Sequence, residues 1–211
     1  MLTMENIFNE ITENGGSTPC RKVNEIAMRF PDKVAFRDKR FGIWSEISYQ
    51  SFWEQAQWVG GALNYFGVDS FDKVAVHSEN RPEWIIADIG IQSIRAITVG
   101  LYPTNPPSEV KYLLGHSETK VLFAEDQEQV DKALEVMNEL PNLKKIIYFE
   151  DRGVVGYKDE ILMSWEEFLA IGKKEYEKNK DFVISRMEEI ESGDVACLIY
   201  TSGTVSYTHL R

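Results

Sequence analysis

Four consecutive residues near the end of the chain have a composition suited to binding phosphate, with three hydroxyl side chains and one glycine: Thr201, Ser202, Gly203 and Thr204. They follow an apolar run at residues 195–200, whose lack of polar alternation is typical of a strand buried on both faces of a parallel sheet. Hydroxyl groups and exposed backbone N–H groups in such a turn can surround phosphate oxygens. No Gly-Lys-Ser/Thr sequence follows, so this is not a Walker A loop. A plain polar turn after a core strand is the alternative interpretation.

The charge of the chain restricts what such a site could bind. The 211 residues carry a formal net charge of −11, which argues against nucleic acid as a partner and against an anionic membrane surface. It also argues against long-range steering of anionic substrates. An anionic ligand must therefore be held by local N–H groups and by particular cations.

No targeting or membrane segment is indicated. The most hydrophobic region, residues 85–101, is interrupted by Asp88, Gln92 and Arg95, and the first residues lack the regions of a signal peptide. A cytoplasmic location is the expectation. Cys20 and Cys197 are the two cysteines, and they imply neither a disulfide framework nor a metal site.

Hydrophobic periodicity predicts the elements that must position the phosphate-binding residues. A hairpin is expected first, and strands then alternate with helices from residue 73 onward, which predicts an α/β fold with a largely parallel sheet flanked by helices on both faces. The predicted hairpin strands are residues 33–37 and 43–48, and the later strands are 73–77, 95–101, 120–124, 145–149 and 195–200. Helices are predicted within residues 1–16 and 17–30 and at residues 49–63, 83–93, 109–116, 127–140 and 163–180.

Two local expectations concern helix ends. Ser108 is placed to cap the helix predicted at residues 109–116. Residues 173–180 are charged all round, which indicates a solvated helix face or a mobile connection.

Other polar and aromatic residues favour structural roles. His77 ends an apolar strand and has no positioned carboxylate or second ligand beside it in sequence. His116 lies at a helix end, where a cation is favourable. Arg81 and Glu83 flank Pro82 and are expected to fix that turn, and Trp84 is expected to pack on an amphipathic helix.

Several stretches together resemble one enzyme superfamily. Residues 200–204, Tyr-Thr-Ser-Gly-Thr, resemble the start of the phosphate-binding motif of AMP-forming adenylating enzymes. Residues 80–88, 99–110 and 113–120 resemble segments of the long-chain fatty acid–CoA ligase branch. The resemblance runs from about residue 23 to residue 204, in the order and spacing of that family.

The resemblance implies a function in two steps. Such enzymes use ATP to activate a carboxylate as acyl-AMP, and the thiol of coenzyme A then displaces AMP. The first step brings two anions together and requires Mg²⁺ and N–H or cationic donors around the triphosphate. By resemblance, Thr201, Ser202, Gly203 and Thr204 contact the β- and γ-phosphates. The implied substrates are a fatty acid, ATP and coenzyme A, while peripheral membrane contact and oligomeric state are left open.

The sequence departs from the family after residue 204. The family motif continues Thr-Gly-x-Pro-Lys-Gly, whereas residues 205–211 read Val-Ser-Tyr-Thr-His-Leu-Arg. We therefore expect residues 1–204 to be an incomplete N-terminal part of an adenylate-forming domain and residues 205–211 to be a non-native tail. No catalytic residue is assigned, because the lysines and the Mg²⁺-binding glutamate of the family have no counterpart here.

Three consequences are expected from this departure. The chain alone should have essentially no activity, its last strand should leave an exposed apolar edge, and its stability should be marginal. Two other functions stay open: a non-catalytic module that binds a nucleotide or an acyl group, and an adenylating enzyme for another carboxylic acid.

Overall fold

The computed structural model describes residues 18–200, apart from the side chain of Arg40, together with the backbone of residues 208–210. The helix predicted within residues 1–16 and the four predicted phosphate-binding residues lie outside the described residues. Within them, no helix is long and apolar enough to cross a membrane.

The chain begins with a helix and a hairpin that precede the main sheet. Helix α1 (Pro19–Arg29) is followed by strands β1 (Val34–Arg40) and β2 (Ile43–Ser48), which pair antiparallel as predicted. Phe41 and Gly42 join the two strands, and both have positive φ angles, of 52° and 81°. Two left-handed residues in a two-residue connection match the type I′ turn that suits the twist of a hairpin.

The remaining elements alternate between helix and strand as far as residue 148, as the periodicity predicts, but not beyond it. In chain order they are α2 (Tyr49–Tyr65), β3 (Lys73–His77), α3 (Pro82–Ser93), β4 (Ile97–Leu101), α4 (Pro107–His116), β5 (Val121–Ala124), α5 (Gln127–Val136), a 3₁₀ turn (Met137–Glu139), β6 (Lys145–Tyr148), β7 (Leu162–Ser164), α6 (Trp165–Lys178), α7 (Phe182–Glu188), β8 (Cys197–Ile199) and β9 (Thr208–Leu210).

The seven strands after the hairpin form one sheet in the order β7-β6-β5-β3-β4-β8-β9. All neighbouring pairs are parallel except β8 and β9, which are antiparallel. The predicted α/β class with a largely parallel sheet and a small hairpin is confirmed.

Strand β3 lies where the chain changes direction within the sheet. The chain moves from β3 to β4 on one side, and then crosses to β5 on the other side of β3. Helices α3 and α4 pack on opposite faces, since α3 joins the apolar cluster of Val74 and Val76 whereas α4 joins that of Ala75. Ligands of open α/β sheets bind beyond the carboxyl ends of strands at such a switch point.

Glycines allow close contact between the helices on the first of these faces. A Cβ atom on Gly90 of α3 would lie 2.5 Å from the Cβ of Val59 in α2. One on Gly172 of α6 would lie 1.8 Å from the carbonyl oxygen of Trp58, also in α2. Helix α2 is therefore packed between α3 and α6 at distances that only glycine permits.

Several predicted boundaries are wrong for identifiable reasons. Helix α4 begins at Pro107 with Pro106 at the N-cap position, so Ser108 lies inside the first turn and does not cap it. Proline suits the first helical position because its missing N–H would have no partner there. Residues 162–164 pair with β6, and α6 starts only at Trp165, after Ser164. The short helix α7 was not predicted.

The end of the sheet differs most from expectation. The strand predicted at residues 195–200 is limited to Cys197–Ile199 and is only partly covered, with Ile199 41% exposed. It is therefore not buried on both faces, because it lies beside β4 near the rim of the sheet. Its outer edge is also not unpaired, since residues 208–210 of the predicted tail bond to it as β9.

The charged residues 173–180 continue helix α6 as far as Lys178. Lys173, Lys174 and Glu177 are exposed, whereas Glu175 and Tyr176 are half-buried. The segment thus presents a solvated face on a helix that packs against α2.

Candidate functional site

The carboxyl ends of β3, β4, β5 and β8 lie along one edge of the sheet, which we call the carboxyl edge. These strands end at His77, Leu101, Ala124 and Ile199. Tyr200 follows β8 directly, and the predicted phosphate-binding residues Thr201, Ser202, Gly203 and Thr204 come next in sequence. Their own geometry lies outside the described residues, so the site is defined by what surrounds the position where the chain enters it.

Tyr200 contacts the last turn of α4 through a hydrogen bond and a ring contact. Its hydroxyl lies 2.9 Å from Nδ1 of His116, and the two rings meet edge to face with centroids 5.8 Å apart. Tyr112 also stacks on the imidazole, with a centroid distance of 5.5 Å. His116 was predicted only as a favourable cation at a helix end, and the structure adds a contact that fixes the residue before the predicted phosphate-binding sequence. The i, i+4 spacing of Tyr112 and His116 was the available signal for their pairing.

His77 is buried at the switch point without a well-formed hydrogen bond to either ring nitrogen. Burial lowers its pKa from 6.5 to about 4, and the nearby ammonium group of Lys132 acts in the same direction. Backbone groups of Tyr102 and Pro103 act in the opposite direction and raise the pKa of His77, but their effect is smaller than that of burial. The imidazole is therefore neutral near pH 7.

The loop above His77 is held by α5. Lys132 donates a hydrogen bond of 2.8 Å to the carbonyl oxygen of Pro103 and one of 2.6 Å to Glu128. The pKa of Glu128 is lowered, mainly by that bond from Lys132. The proline-rich connection after β4 is thus fixed to the helix that follows β5.

The guanidinium of Arg81 lies close to carboxylates from three segments at the carboxyl edge. Its guanidinium lies 2.8 Å from Glu83, 2.9 Å from Glu150 and 3.9 Å from Glu125, and its side chain is 10% exposed. The pairing of Arg81 with Glu83 agrees with their predicted role in the turn at Pro82. The other two carboxylates, Glu125 and Glu150, are far from Arg81 in sequence and follow β5 and β6. Nothing in the local sequence pointed to them. The group joins the turns after three neighbouring strands.

A half-buried carboxylate lies beside β4. Asp88 of α3 accepts hydrogen bonds of 2.6 Å from Thr98 and 2.9 Å from Gln92. Burial raises the pKa of its carboxyl group, and the two hydrogen bonds oppose that effect. Cys197 of β8 is near enough for Asp88 to raise its thiol pKa further, after the larger effect of burial.

Residues 18–200 supply no set of three or more His, Cys, Asp or Glu side chains that could hold a metal ion. Cys20 and Cys197 are both free thiols.

A cavity of about 250 Å³ lies at the opposite edge of the sheet. Its lining includes Cys20 of α1, Gln92 of α3, and Ala96 and Ala196, which precede β4 and β8. It is therefore separate from the position where Tyr200 enters the predicted phosphate-binding sequence.

Comparison with known proteins agrees with this geometry. The model of the AMP-binding enzyme family matches residues 23–206. The chain is 31% identical over 180 residues to the long-chain-fatty-acid–CoA ligase ACSBG2 of Xenopus laevis, covering 85% of this chain and 24% of that protein. It is 28% identical over 174 residues to the long-chain-fatty-acid–CoA ligase FadD15 of Mycobacterium bovis, covering 82% of this chain and 27% of that protein.

A solved structure shows the same fold. The anthranilate CoA ligase AuaEII, determined in complex with anthranoyl-AMP, superposes with a TM-score of 0.66 at 22% identity, covering 89% of this chain and 33% of that one. The chain spans about a quarter of the length of the curated relatives named above. Because the family model matches most of its residues, the chain belongs to the AMP-binding enzyme family.

Proposed function

We propose that the protein activates a fatty acid with ATP to give acyl-AMP and pyrophosphate, and then transfers the acyl group to coenzyme A. The observation that supports this most directly is the family match over residues 23–206, combined with relatives named as long-chain-fatty-acid–CoA ligases. Cytoplasmic location is part of the same proposal.

Within this function we assign the β- and γ-phosphates of ATP to Thr201, Ser202, Gly203 and Thr204. Support comes from Tyr200, which follows β8 at the carboxyl edge and is hydrogen-bonded to His116. Tyr200, the residue before the quartet, thus lies at the carboxyl edge of a parallel sheet, the edge at which ligands of this fold class bind. In a chain of net charge −11, hydroxyl and backbone N–H groups are local donors that can hold phosphate oxygens.

The described residues have different parts in this reaction. Tyr200 and His116 would orient the start of the phosphate-binding sequence, and the Arg81 group would keep the neighbouring turns in place. Mg²⁺, when bound, neutralises charge on the triphosphate. Residues 18–200 contain no cluster fit to ligate it, so no ligand of the ion is assigned to them. Coenzyme A likewise has no assigned residue.

The phosphate assignment is tested by binding of ATP to the 211-residue chain, followed by ³¹P NMR. Replacing Ser202 with Ala and Gly203 with Val should each weaken binding about tenfold, because a hydroxyl donor is lost or the backbone approach is blocked. Ser206→Ala, two residues beyond the quartet, is the matched control and should bind like the original chain. Equal affinity in all four proteins would refute the assignment.

The substrate is tested by exchange of labelled pyrophosphate into ATP, using the 211-residue chain and the complete product of the reading frame that encodes it. Palmitate should stimulate exchange by the complete product more than benzoate or an amino acid does, and the 211-residue chain should show essentially no exchange. Stimulation by benzoate alone would identify an adenylating enzyme for another acid. ATP binding without exchange in the complete product would identify a non-catalytic module.

A further inference from the structure

The cavity at the edge of the sheet opposite the carboxyl edge, which we call the amino-edge cavity, takes no part in the proposed function. Its volume is about 250 Å³, and Ala96, Ile190 and Val195 are among its lining residues. Arg95 and Asp194 also line it, but their charges are paired, with 2.8 Å between Nε and Oδ2. Because a cavity of about 150 Å³ can hold benzene, this one has room for an aromatic side chain.

Two arginines hold the walls of the amino-edge cavity in place. Arg21 of α1 donates hydrogen bonds to three carbonyl oxygens at and after the end of α7, the shortest of them 2.8 Å long and made to Ile190. Arg95, after α3, binds the loop before β8 through Asp194. The walls from α1, α3 and that loop are thus tied together, so the cavity is a preformed feature of the fold.

The amino-edge cavity lies at the point where the described chain begins. Thr18, the first of the described residues, lines the cavity together with Pro19 and Cys20 of α1. Residues 1–17 are therefore joined covalently to the rim of the cavity, which gives them a high effective concentration beside it. A small molecule or a second chain would have to compete with them for the same surface.

Residues 1–17 contain an apolar stripe that needs a surface to pack on. Four apolar residues recur at positions i, i+3, i+4 and i+7, the period of one helix face: Met4, Ile7, Phe8 and Ile11. At about 100° per residue, the three carboxylates of this segment fall outside the stripe: Glu5, Glu10 and Glu13. A helix of this length is marginal in water by itself, so the stripe should be covered by tertiary contacts.

The sequence between the stripe and the cavity favours a return of the chain. Asn14, Gly15 and Gly16 are typical of a turn, and they lie between Ile11 and Thr18. Phe8 is the one aromatic residue in residues 1–17, and a phenyl ring matches both the volume and the apolar part of the lining. The segment therefore has the composition, the tether and the turn that the cavity requires of an occupant.

We propose that residues 4–11 pack back on the fold as a helix, with the ring of Phe8 in the amino-edge cavity beside Cys20. This inference goes beyond the proposed function and does not depend on it, since its test uses neither ATP nor a fatty acid.

The first test is crosslinking of two thiols within one chain by dibromobimane, which becomes fluorescent when it joins them. All proteins carry Cys197→Ser, so that Cys20 is the one native thiol. Phe8→Cys should crosslink to Cys20 about tenfold faster than Asn9→Cys, because Asn9 lies on the opposite side of the predicted helix. The two positions are almost equally far from Cys20 along the chain, so a segment without a fixed place would crosslink equally from both.

The second test is the melting temperature of the 211-residue chain, followed by circular dichroism. Phe8→Ser should lower it by about 4 °C, because the contacts of a packed aromatic ring are lost. Asn9→Ser is the matched control and should melt like the original chain. Both substitutions lie outside the elements of the described fold, so neither disturbs its core directly.

Three outcomes would overturn the proposal. One is equal crosslinking from Phe8→Cys and Asn9→Cys, and another is equal melting of Phe8→Ser and Asn9→Ser. The third is a crosslink that joins two chains instead of closing within one, seen as a dimer on a denaturing gel of dilute protein. That result would assign the amino-edge cavity to the first residues of a second copy.

Discussion

The helices α2, α3 and α6 and the carboxyl edge of the sheet bury different kinds of groups. In the helical layer, Gly90 and Gly172 bring backbones together and the neighbouring side chains are apolar. At the carboxyl edge, His77 is buried without a well-formed hydrogen bond, and Arg81 gathers carboxylates from three segments. The first region is arranged for close packing, whereas the second keeps polar groups that cost stability at the place where the family's ligand is expected.

The largest effect is expected in the helical layer. Gly172→Ala places a Cβ atom where Trp58 has its carbonyl oxygen, so α2 and α6 must move apart. We expect a loss of about 4 kcal/mol in the free energy of unfolding, measured in urea, because backbone atoms cannot yield as a side chain can. Gly156→Ala, which would meet no atom within 4 Å, is the control and should be nearly neutral. Equal stability of the two variants would show that the helices are not in such close contact.

The next effect concerns the ion pairs of the carboxyl edge. Arg81→Met leaves the carboxylates of Glu83, Glu125 and Glu150 close together without their cation and should cost about 3 kcal/mol in unfolding free energy. Arg37→Met removes an arginine from the exposed pair with Glu46 and should change stability little. If both variants lose the same amount in chemical denaturation, burial of the Arg81 group contributes nothing.

A pH-dependent effect of similar or smaller size is expected from His77. Its folded pKa of about 4 lies below the ordinary value of 6.5, so the unfolded chain binds a proton more readily. The free energy of unfolding therefore has its full value, as far as His77 is concerned, above pH 6.5. It falls by about 3 kcal/mol in total as the pH is lowered from 6.5 to 4. Lys132 adds to this penalty and Glu128 reduces it.

The measurement is the difference in unfolding free energy between the original chain and His77→Leu, followed from pH 4 to pH 7. Taking the difference removes the contribution of carboxylates that titrate in the same way in both proteins. The difference should change with pH in favour of the variant in acid, and a constant difference would show that the ring takes up a proton without cost.

The smallest effects should be the same in the two regions. Ser164 caps α6 in the helical layer, and Asp126, two residues after the end of β5 at the carboxyl edge, caps α5, each within a capping box. Ser164→Ala and Asp126→Ala should each cost about 1 kcal/mol by thermal or urea unfolding. Equal losses would place the difference between the regions in tertiary packing, while clearly unequal ones would place part of it in local helix stability.

The parts of the fold that were predicted correctly depend on local periodicity. Residues 73–77 form β3 with the predicted bounds, because an apolar run between turns leaves little choice. The start of α4 was missed because the prolines at 106 and 107 fix the backbone before Ser108 is needed as a cap. The short β7 exists only because β6 offers a parallel neighbour, which no pattern in residues 162–164 reveals.

The surroundings of the candidate site were less predictable because they depend on contacts between residues far apart in sequence. Thr201, Ser202, Gly203 and Thr204 were identified by composition and resemblance, and their phosphate contacts stay a prediction. The contact of Tyr200 with His116 joins residues 84 positions apart in sequence, and that of Arg81 with Glu150 joins residues 69 apart. Such contacts follow from strand order, which was not read from the sequence.

The position of β8 in the sheet has a kinetic consequence. Strands β3, β4 and β5 are joined by single helices, so each can pair with a neighbour close to it in sequence. Strand β8 must instead return to β4, and the ion pair between Arg95 and Asp194 spans 99 residues. Closing that loop costs more chain entropy, so β8 should dock late in folding and open early. Amide hydrogens of Leu198 and Ile199 should then exchange with solvent sooner than those of Val74 and Val76. The predicted phosphate-binding sequence would thus follow a strand that is released more easily than β3.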